Sequence, residues 1–279
     1  MRRTREFRQV DVFTHEPLLG NPVAVVLDGE DMSSEEMLAF TEWTNLSEAT
    51  FIIPTTDERA DYRVRIFCPG RELPFAGHPT LGTCHAWLEA GGRPKGTTII
   101  QECGAGLVPI RRDGDSLAFA APPRLRQGPL EPSDVAGIAA CLGIDPATIV
   151  AHEWCDNGPR WQAVLLDSAD AVLAITPDPA LLHGRDIGVV GPHPRGSDVA
   201  FEVRAFFPGN QGLTEDPVTG SLNAALAQWL IQTDRAPQRF RTAQGTALGR
   251  AGRVDVVADG PDIWIGGACV TVITGQAMI

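Results

Sequence analysis

The sequence predicts an α+β protein made of two similar halves, residues 1–118 and 119–279. Each half is expected to be a curved, barrel-like sheet wrapped around its own buried helix, and the last strand is free to pack back on the first half. Three observations carry this. RIFCPG at 65–70 and RAFFPG at 204–209 share R-x-F-x-P-G at an offset of 139 (65 against 204). Gly104 and Leu107 recur as Gly245 and Leu248 at an offset of 141 (104 against 245). After each R-x-F-x-P-G comes a polar loop and then a run rich in small and apolar residues. The first is Leu81, Cys84, Ala86, Trp87 and Leu88; the second is Leu222, Ala224, Ala225, Leu226, Ala227 and Leu230. Helices apolar on all sides are buried, and self-similarity at a fixed spacing points to a duplicated unit.

The other elements follow from local signals. Strands are expected at 9–14, 22–27, 49–53, 63–67 and 97–101, where β-branched and apolar residues cluster. A helix starts near Ser33, whose spacing to Glu36 makes a capping box, and Met37, Phe40 and Trp43 form a stripe expected to pack in the core. Pro79 and Pro217 are placed at the first position of the two buried helices, where a missing N–H costs nothing, and Gly91 stops the first. The 29 glycines and 22 prolines suit a turn-rich β framework.

Composition excludes several function classes. The 279 residues suffice for two domains, and 43% hydrophobic with 21% charged residues is ordinary globular composition. A net charge of −12 and a pI near 4.9 repel nucleic acid; Arg111, Arg112, Arg235, Arg239 and Arg241 read as solvated surface. MRRTREFRQVDVF carries no signal-length apolar run, and no segment reaches 18 uninterrupted apolar residues, so no membrane partner is expected. Cys68, Cys84, Cys103, Cys141, Cys155 and Cys269 form no C-x-x-C pair and no ligand spacing with the six histidines. They read as reduced thiols of a cytoplasmic protein without a zinc site.

Three constellations can carry chemistry: NLSEAT around Glu48, FAGHPTLG around His78 and EDPVTGS around Asp216. The last two put polar residues at the starts of buried helices, where free N–H groups and a partial positive charge attract a carboxylate or phosphate. Gly77 and Gly220 would let a ligand approach the backbone. Taken singly, Asp216 and Ser221 fit local capping, His78 a buried histidine satisfied by the backbone, and Glu48 an exposed loop carboxylate. The repeat raises the expectation that Glu48, His78 and Asp216 converge in one cleft between the halves.

DVFT…GNPVAVV, NLSEATFI, LPFAGHPTLGT and TEDPVTGSLNAAL, in this order over nearly the whole chain, resemble the signatures of the PhzF-like family. The resemblance implies the fold of diaminopimelate epimerase and proline racemase, with two pseudo-twofold-related halves and a homodimer. It implies a cofactor-free isomerase in which Glu48 moves a proton on a small carboxylated, cyclic or dienoic metabolite, while His78 and Asp216 position the substrate. Gly77, Thr80, Thr219, Gly220 and Ser221 match the loops that bind the ligand. The related racemases carry a cysteine at each helix start; glycines stand near those places here, so two-thiol racemisation is not expected. Trp43, Cys68 and the FFPGNQGL stretch depart from the phenazine enzyme and leave the substrate open. The rival readings are a ligand-binding member without activity and an epimerase or racemase.

Overall fold

The computed structural model describes residues 3–209 and 212–279. Met1 and Arg2, and Asn210 and Gln211 of the stretch expected to differ around the substrate, lie outside the described residues. The chain divides into two compact units, Met1–Ala120 with Gly266–Ile279, and Ala121–Ile265. The division falls two residues beyond the expected 118/119 boundary, and the end of the chain groups with the first unit.

The first unit begins with β1 (Thr4–Val12), β2 (Asn21–Val26), α1 (Ser34–Thr44), β3 (Ala49–Ile53), β4 (Tyr62–Cys68) and the short β5 (Arg71–Leu73). It continues with α2 (Gly77–Glu89), β6 (Ile99–Cys103), β7 (Gly106–Asp113) and β8 (Ser116–Ala120). The second unit holds α3 (Pro132–Leu142), β9 (Ala151–Asp156), β10 (Arg160–Leu165), α4 (Ala169–Leu173), β11 (Asp186–Pro192), β12 (Phe201–Gly209) and β13 (Gly212–Glu215). α5 (Gly220–Gln232), β14 (Arg239–Gln244) and β15 (Gly252–Asp259) follow. The last strand, β16 (Asp262–Met278), starts in the second unit and continues through the first. In the first unit the strand order is β1-β2-β3-β4-β6-β7-β8-β16, and β16 also pairs with β1, which closes the sheet into a barrel. Closure pairs the two outer strands of this order, β1 and β16, with each other.

The repeat seen in the sequence is a repeat of pairing. In the first unit β2–β3 and β4–β6 are parallel while β1–β2, β3–β4 and β6–β7 are antiparallel. In the second, β10–β11 and β12–β14 are parallel while β9–β10, β11–β12 and β14–β15 are antiparallel. The R-x-F-x-P-G motif leads each time into a hairpin, β4–β5 or β12–β13.

α2 and α5 are the buried helices, each of 13 residues starting at a glycine. A Cβ on Gly82 of α2 would lie 2.4 Å from Val23 Cγ1, so small residues are what the inside of the barrel admits. α5 packs Leu222, Ala225, Leu226, Trp229 and Leu230 against Trp161, Val203 and Ala205. The helix starts differ from expectation. Pro79 is the third residue of α2, still in the first turn whose N–H groups need no partner, whereas Pro217 lies three residues ahead of α5. The two helices therefore correspond through Gly77 and Gly220, not through their prolines.

α1 begins as expected. Ser33 Oγ accepts from the Glu36 N–H and Glu36 Oε2 accepts from the Ser33 N–H. Its stripe is corrected at one position. Met37 and Phe40 are buried, and Phe40 joins the edge-to-face series Phe7–Phe40–Phe51–Phe67, but Trp43 is 78% exposed. The buried face runs 37, 40, 41. Position 43 lies six residues from 37, about 240° around the helix. Among the described residues, no helix is long and apolar enough to cross a membrane.

Candidate active site

The parallel β2–β3 pairing, with Ala24 opposite Ala49, puts the first residues of both strands at the same end of the barrel. Asn21 opens β2, and Glu48 directly precedes β3, with its carbonyl accepting from the Ala24 N–H. Glu48 reaches this point because α1 ends at Asn45 in a left-handed conformation, which turns the chain toward the strand. The expected exposed loop carboxylate is instead largely enclosed: the Glu48 side chain is 17% exposed, and its Oε2 stands 3.3 Å from His78 Nε2.

His78 is the second residue of α2 and 5% exposed. Its Nδ1 lies 3.4 Å from the amide nitrogen of Asn21. Burial pushes its pKa down to about 3, outweighing the Pro22 carbonyl, which acts in the opposite direction. The ring is therefore neutral at physiological pH. The folded value lies below the ordinary 6.5, so between pH 6.5 and about 3 the unfolded chain holds the extra proton. Stability is fully present above pH 6.5 and falls as the pH drops through that window. Urea midpoints at pH 7 and 4.5 are expected to differ less for His78→Gln than for the wild type; equal differences would contradict the buried neutral ring.

The second unit gathers its predicted residues at the start of α5. Asp216 is buried, its N–H donates to the Ala205 carbonyl, and its Oδ2 accepts from Thr219 Oγ1 at 2.6 Å. Thr219 is the N-cap of α5, yet its hydroxyl serves Asp216 and not the helix. Ser221 Oγ accepts from Trp161 Nε1 at 3.1 Å, and its carbonyl accepts from Asn157. In each unit, then, the second residue of the central helix is contacted from the region where the second strand starts: Asn21 on His78, Trp161 and Asn157 on Ser221.

At neither central helix does the N-cap side chain accept from the first turn: Ala76 has no side-chain oxygen, and the Thr219 hydroxyl makes no cap bond. The N–H groups of Gly77 and His78, and of Gly220 and Ser221, thus stand at uncapped helix starts suited to an anion. Thr80 is fully buried; its N–H donates to the Ala76 carbonyl and its hydroxyl oxygen accepts from Gln101 Nε2 at 3.0 Å. These bonds hold the helix start in place.

The sequence reading missed two kinds of residue. Asn21 lies inside the quoted GNP motif but was not singled out. Gln101 and Gln244 were missed too. Gln101 accepts from Tyr62 and donates to Thr80, while Gln244 accepts from the Thr219 N–H and from Asn223 and donates to Thr219 Oγ1 and the Asp216 carbonyl. Each pins the first turn of its unit's helix from a parallel strand. The available signal was the offset of 143 that relates Gln101 to Gln244 and Gly77 to Gly220.

None of the six cysteines falls in the first turn of α2 or α5. Burial raises the thiols of Cys84 and Cys155 to about 12 and those of Cys68, Cys103, Cys141 and Cys269 above their ordinary range, which keeps them protonated. Among the described residues no group of three or more His, Cys, Asp or Glu is arranged to hold a metal ion.

The profile of the PhzC-PhzF family, described as phenazine biosynthesis-like protein, matches residues 10–275. Antisense-enhancing sequence 1 of Schizosaccharomyces pombe is 36% identical over 296 residues, covering 98% of each chain. The trans-2,3-dihydro-3-hydroxyanthranilate isomerase of Pseudomonas aeruginosa is 36% identical over 266 residues, covering 90% of this chain and 89% of its own. A PhzF-family phenazine biosynthesis protein of Bacillus anthracis superposes with a TM-score of 0.83 at 23% identity, covering 99% of this chain and 100% of that one. The fold is the one expected, and a hydroxyproline epimerase of Agrobacterium vitis shares it with a TM-score of 0.61 at 17% identity. The chain belongs to the PhzC-PhzF family of phenazine biosynthesis-like proteins and is an isomerase of that family.

Proposed function

We propose that Glu48 is the group that moves the proton. The observation behind this is the 3.3 Å approach of its carboxylate to a buried, neutral His78 at the uncapped start of α2. A carboxylate in a largely enclosed site beside a neutral imidazole can take a proton and give it back, because that neighbour adds no positive charge favouring the ionised form. On a carboxylated cyclic diene, Glu48 takes a proton from the activated C–H, and the electron pair enters the adjacent π system. The same proton then returns to another carbon on the same face. Bonds and electrons balance, and the product is an isomer. His78 is assigned to orienting the substrate and stabilising charge in transit. From the second unit, Asp216 is assigned to holding the substrate, with Thr219 placing it and the Gly220 and Ser221 N–H groups binding a carboxylate. Gly77 has the same role at the start of α2, and Thr80 holds that start.

The probe for this reading is trans-2,3-dihydro-3-hydroxyanthranilate, the compound in the name of the Pseudomonas aeruginosa relative, offered in deuterated water with EDTA present. The expected result is an isomer carrying deuterium at the position that receives the proton, wherever exchange on Glu48 competes with return. Label confined to a stereocentre would mean epimerisation. Saturable binding with neither label nor product would mean a binding protein. Loss of turnover to EDTA, restored by one divalent ion, would end the cofactor-free mechanism.

A further inference from the structure

The β3–β4–β5 ladder decides which side chains share the helix-facing side of the first barrel. Thr50 of β3 faces α2, since its hydroxyl lies 2.8 Å from that of Thr83 on the helix. Thr50 stands opposite Ile66 of β4, and Ile66 opposite Leu73 of β5. Directly opposite residues share a face, and the chain returns to that face every second residue. The next row on this side is therefore Glu48, Cys68 and Arg71. Ala49 pairs with Phe67, which brings Glu48 beside Cys68, and Cys68 itself pairs with Arg71. The row spans about 10 Å of backbone, and it lies where α2 begins, with Glu48 against His78.

Cys68 fills the middle of the row, and its thiol donates to the Arg71 carbonyl at 3.7 Å. Burial first, and then the Glu48 charge, push the thiol's pKa up, while the Arg71 guanidinium, within hydrogen-bonding reach of the sulfur, acts the other way. The thiol stays neutral, so it does not compensate the charge of Arg71. Arg71 is exposed, and among the described residues it forms no ion pair. The adjacent Glu72 lies on the other face of β5, where Arg65 holds it. A cation thus stands uncompensated at the mouth of the barrel, on the side of the ladder that carries Glu48, in a chain of net charge −12.

We propose that Arg71 binds a second carboxylate, and that the substrate class of this site is a small unsaturated dicarboxylate. One carboxylate lies at the uncapped start of α2, the other on Arg71, and the C–H to be deprotonated lies between them beside Glu48. The assignment rests on the reading of this site as the place of proton transfer. A guanidinium suits the role because its planar fork matches both oxygens of a carboxylate. The neutral Cys68 gives the carbon chain an uncharged surface between the two anchors.

The test is titration calorimetry at pH 7 with two matched acids. The monoacid trans,trans-hexa-2,4-dienoate ends in a methyl group; the diacid trans,trans-hexa-2,4-dienedioate ends in a second carboxylate. The wild type is expected to bind the diacid about tenfold or more tightly than the monoacid. Arg71→Gln is expected to lose this advantage and keep the wild-type affinity for the monoacid. Arg71→Lys is expected to retain part of it, since an ammonium is a point charge without the fork. Because Arg71 is exposed, both variants are expected to melt near the wild type. Equal affinity of the wild type for the two acids, no detectable binding of the diacid, or an advantage that survives Arg71→Gln each overturns the proposal. Calorimetry needs no turnover, so the two readings fail separately. Should Glu48→Gln keep its turnover, proton transfer by Glu48 falls, while the affinities still decide the role of Arg71.

Discussion

Glu48→Gln is expected to lose about 10³-fold or more in turnover at saturating substrate while its melting temperature stays within a few degrees of the wild type. Glutamine matches glutamate in shape and still offers an oxygen to His78 Nε2 at the distance seen here, but it cannot take and return a proton at working pH. General acid–base groups contribute about 10²–10⁴-fold, and a group that both removes and delivers the proton stands toward the upper end. A structural carboxylate would behave in the opposite way. Its replacement would lower stability, and activity would fall only with the folded fraction. Turnover and melting curves of the same preparation separate the two, and wild-type turnover in the glutamine variant would end the proposal for Glu48.

The second large effect concerns stability and comes from the repeat. Arg65 and Arg204 begin the two R-x-F-x-P-G motifs, and each stacks over the phenylalanine two residues on, which an extended strand puts on the same face: Arg65 over Phe67 at 5.0 Å and Arg204 over Phe206 at 4.9 Å. Each also forks onto a glutamate, Glu72 or Glu215. Their surroundings differ. The Arg204–Glu215 side chains are 6% and 11% exposed, and the guanidinium also donates to the Val172 and Ile175 carbonyls at the end of α4. The Arg65–Glu72 side chains are 23% and 43% exposed, and the further partner is the hydroxyl of Ser34. Removing Arg204 strands a buried carboxylate and two buried carbonyls, whereas water replaces what Arg65 supplied. Arg204→Ala is expected to cost about 3–5 kcal/mol and Arg65→Ala about 1 kcal/mol or less. Urea unfolding of the two variants side by side reads this directly, and equal shifts in midpoint would show that the burial difference carries no weight.

These cases show which parts of the protein could be read from the chain. The capping box at Ser33, the buried character of α2 and α5, and the duplication were legible because they rest on periodicities and spacings within one element or on a repeated string. Where the reading failed, the failure was also local. The stripe through Trp43 counted apolar residues at three-residue steps without closing the helical angle. The prolines were aligned as letters, although the helices begin at glycines. The burial that separates Arg204 from Arg65 is invisible in identical motifs, since it depends on whether α4 lies over the guanidinium.

By itself the sequence determined the family, the two-unit α+β plan and the residue types available for chemistry, because motif order and hydrophobic period are properties of the string. Only the tertiary structure decided that Glu48 stands beside His78, that Asn21 faces the other ring nitrogen, and that Gln101 and Gln244 pin the helix starts. Those contacts join residues 21 to 57 positions apart. The first two exist because a parallel pairing of β2 with β3 brings two strand starts to one end of a closed barrel, where the enclosed helix also begins; the glutamine contacts come from β6 and β14, which pair in parallel with β4 and β12. Strand order and register are set by burying the whole apolar set at once, so no local stretch of residues specifies them.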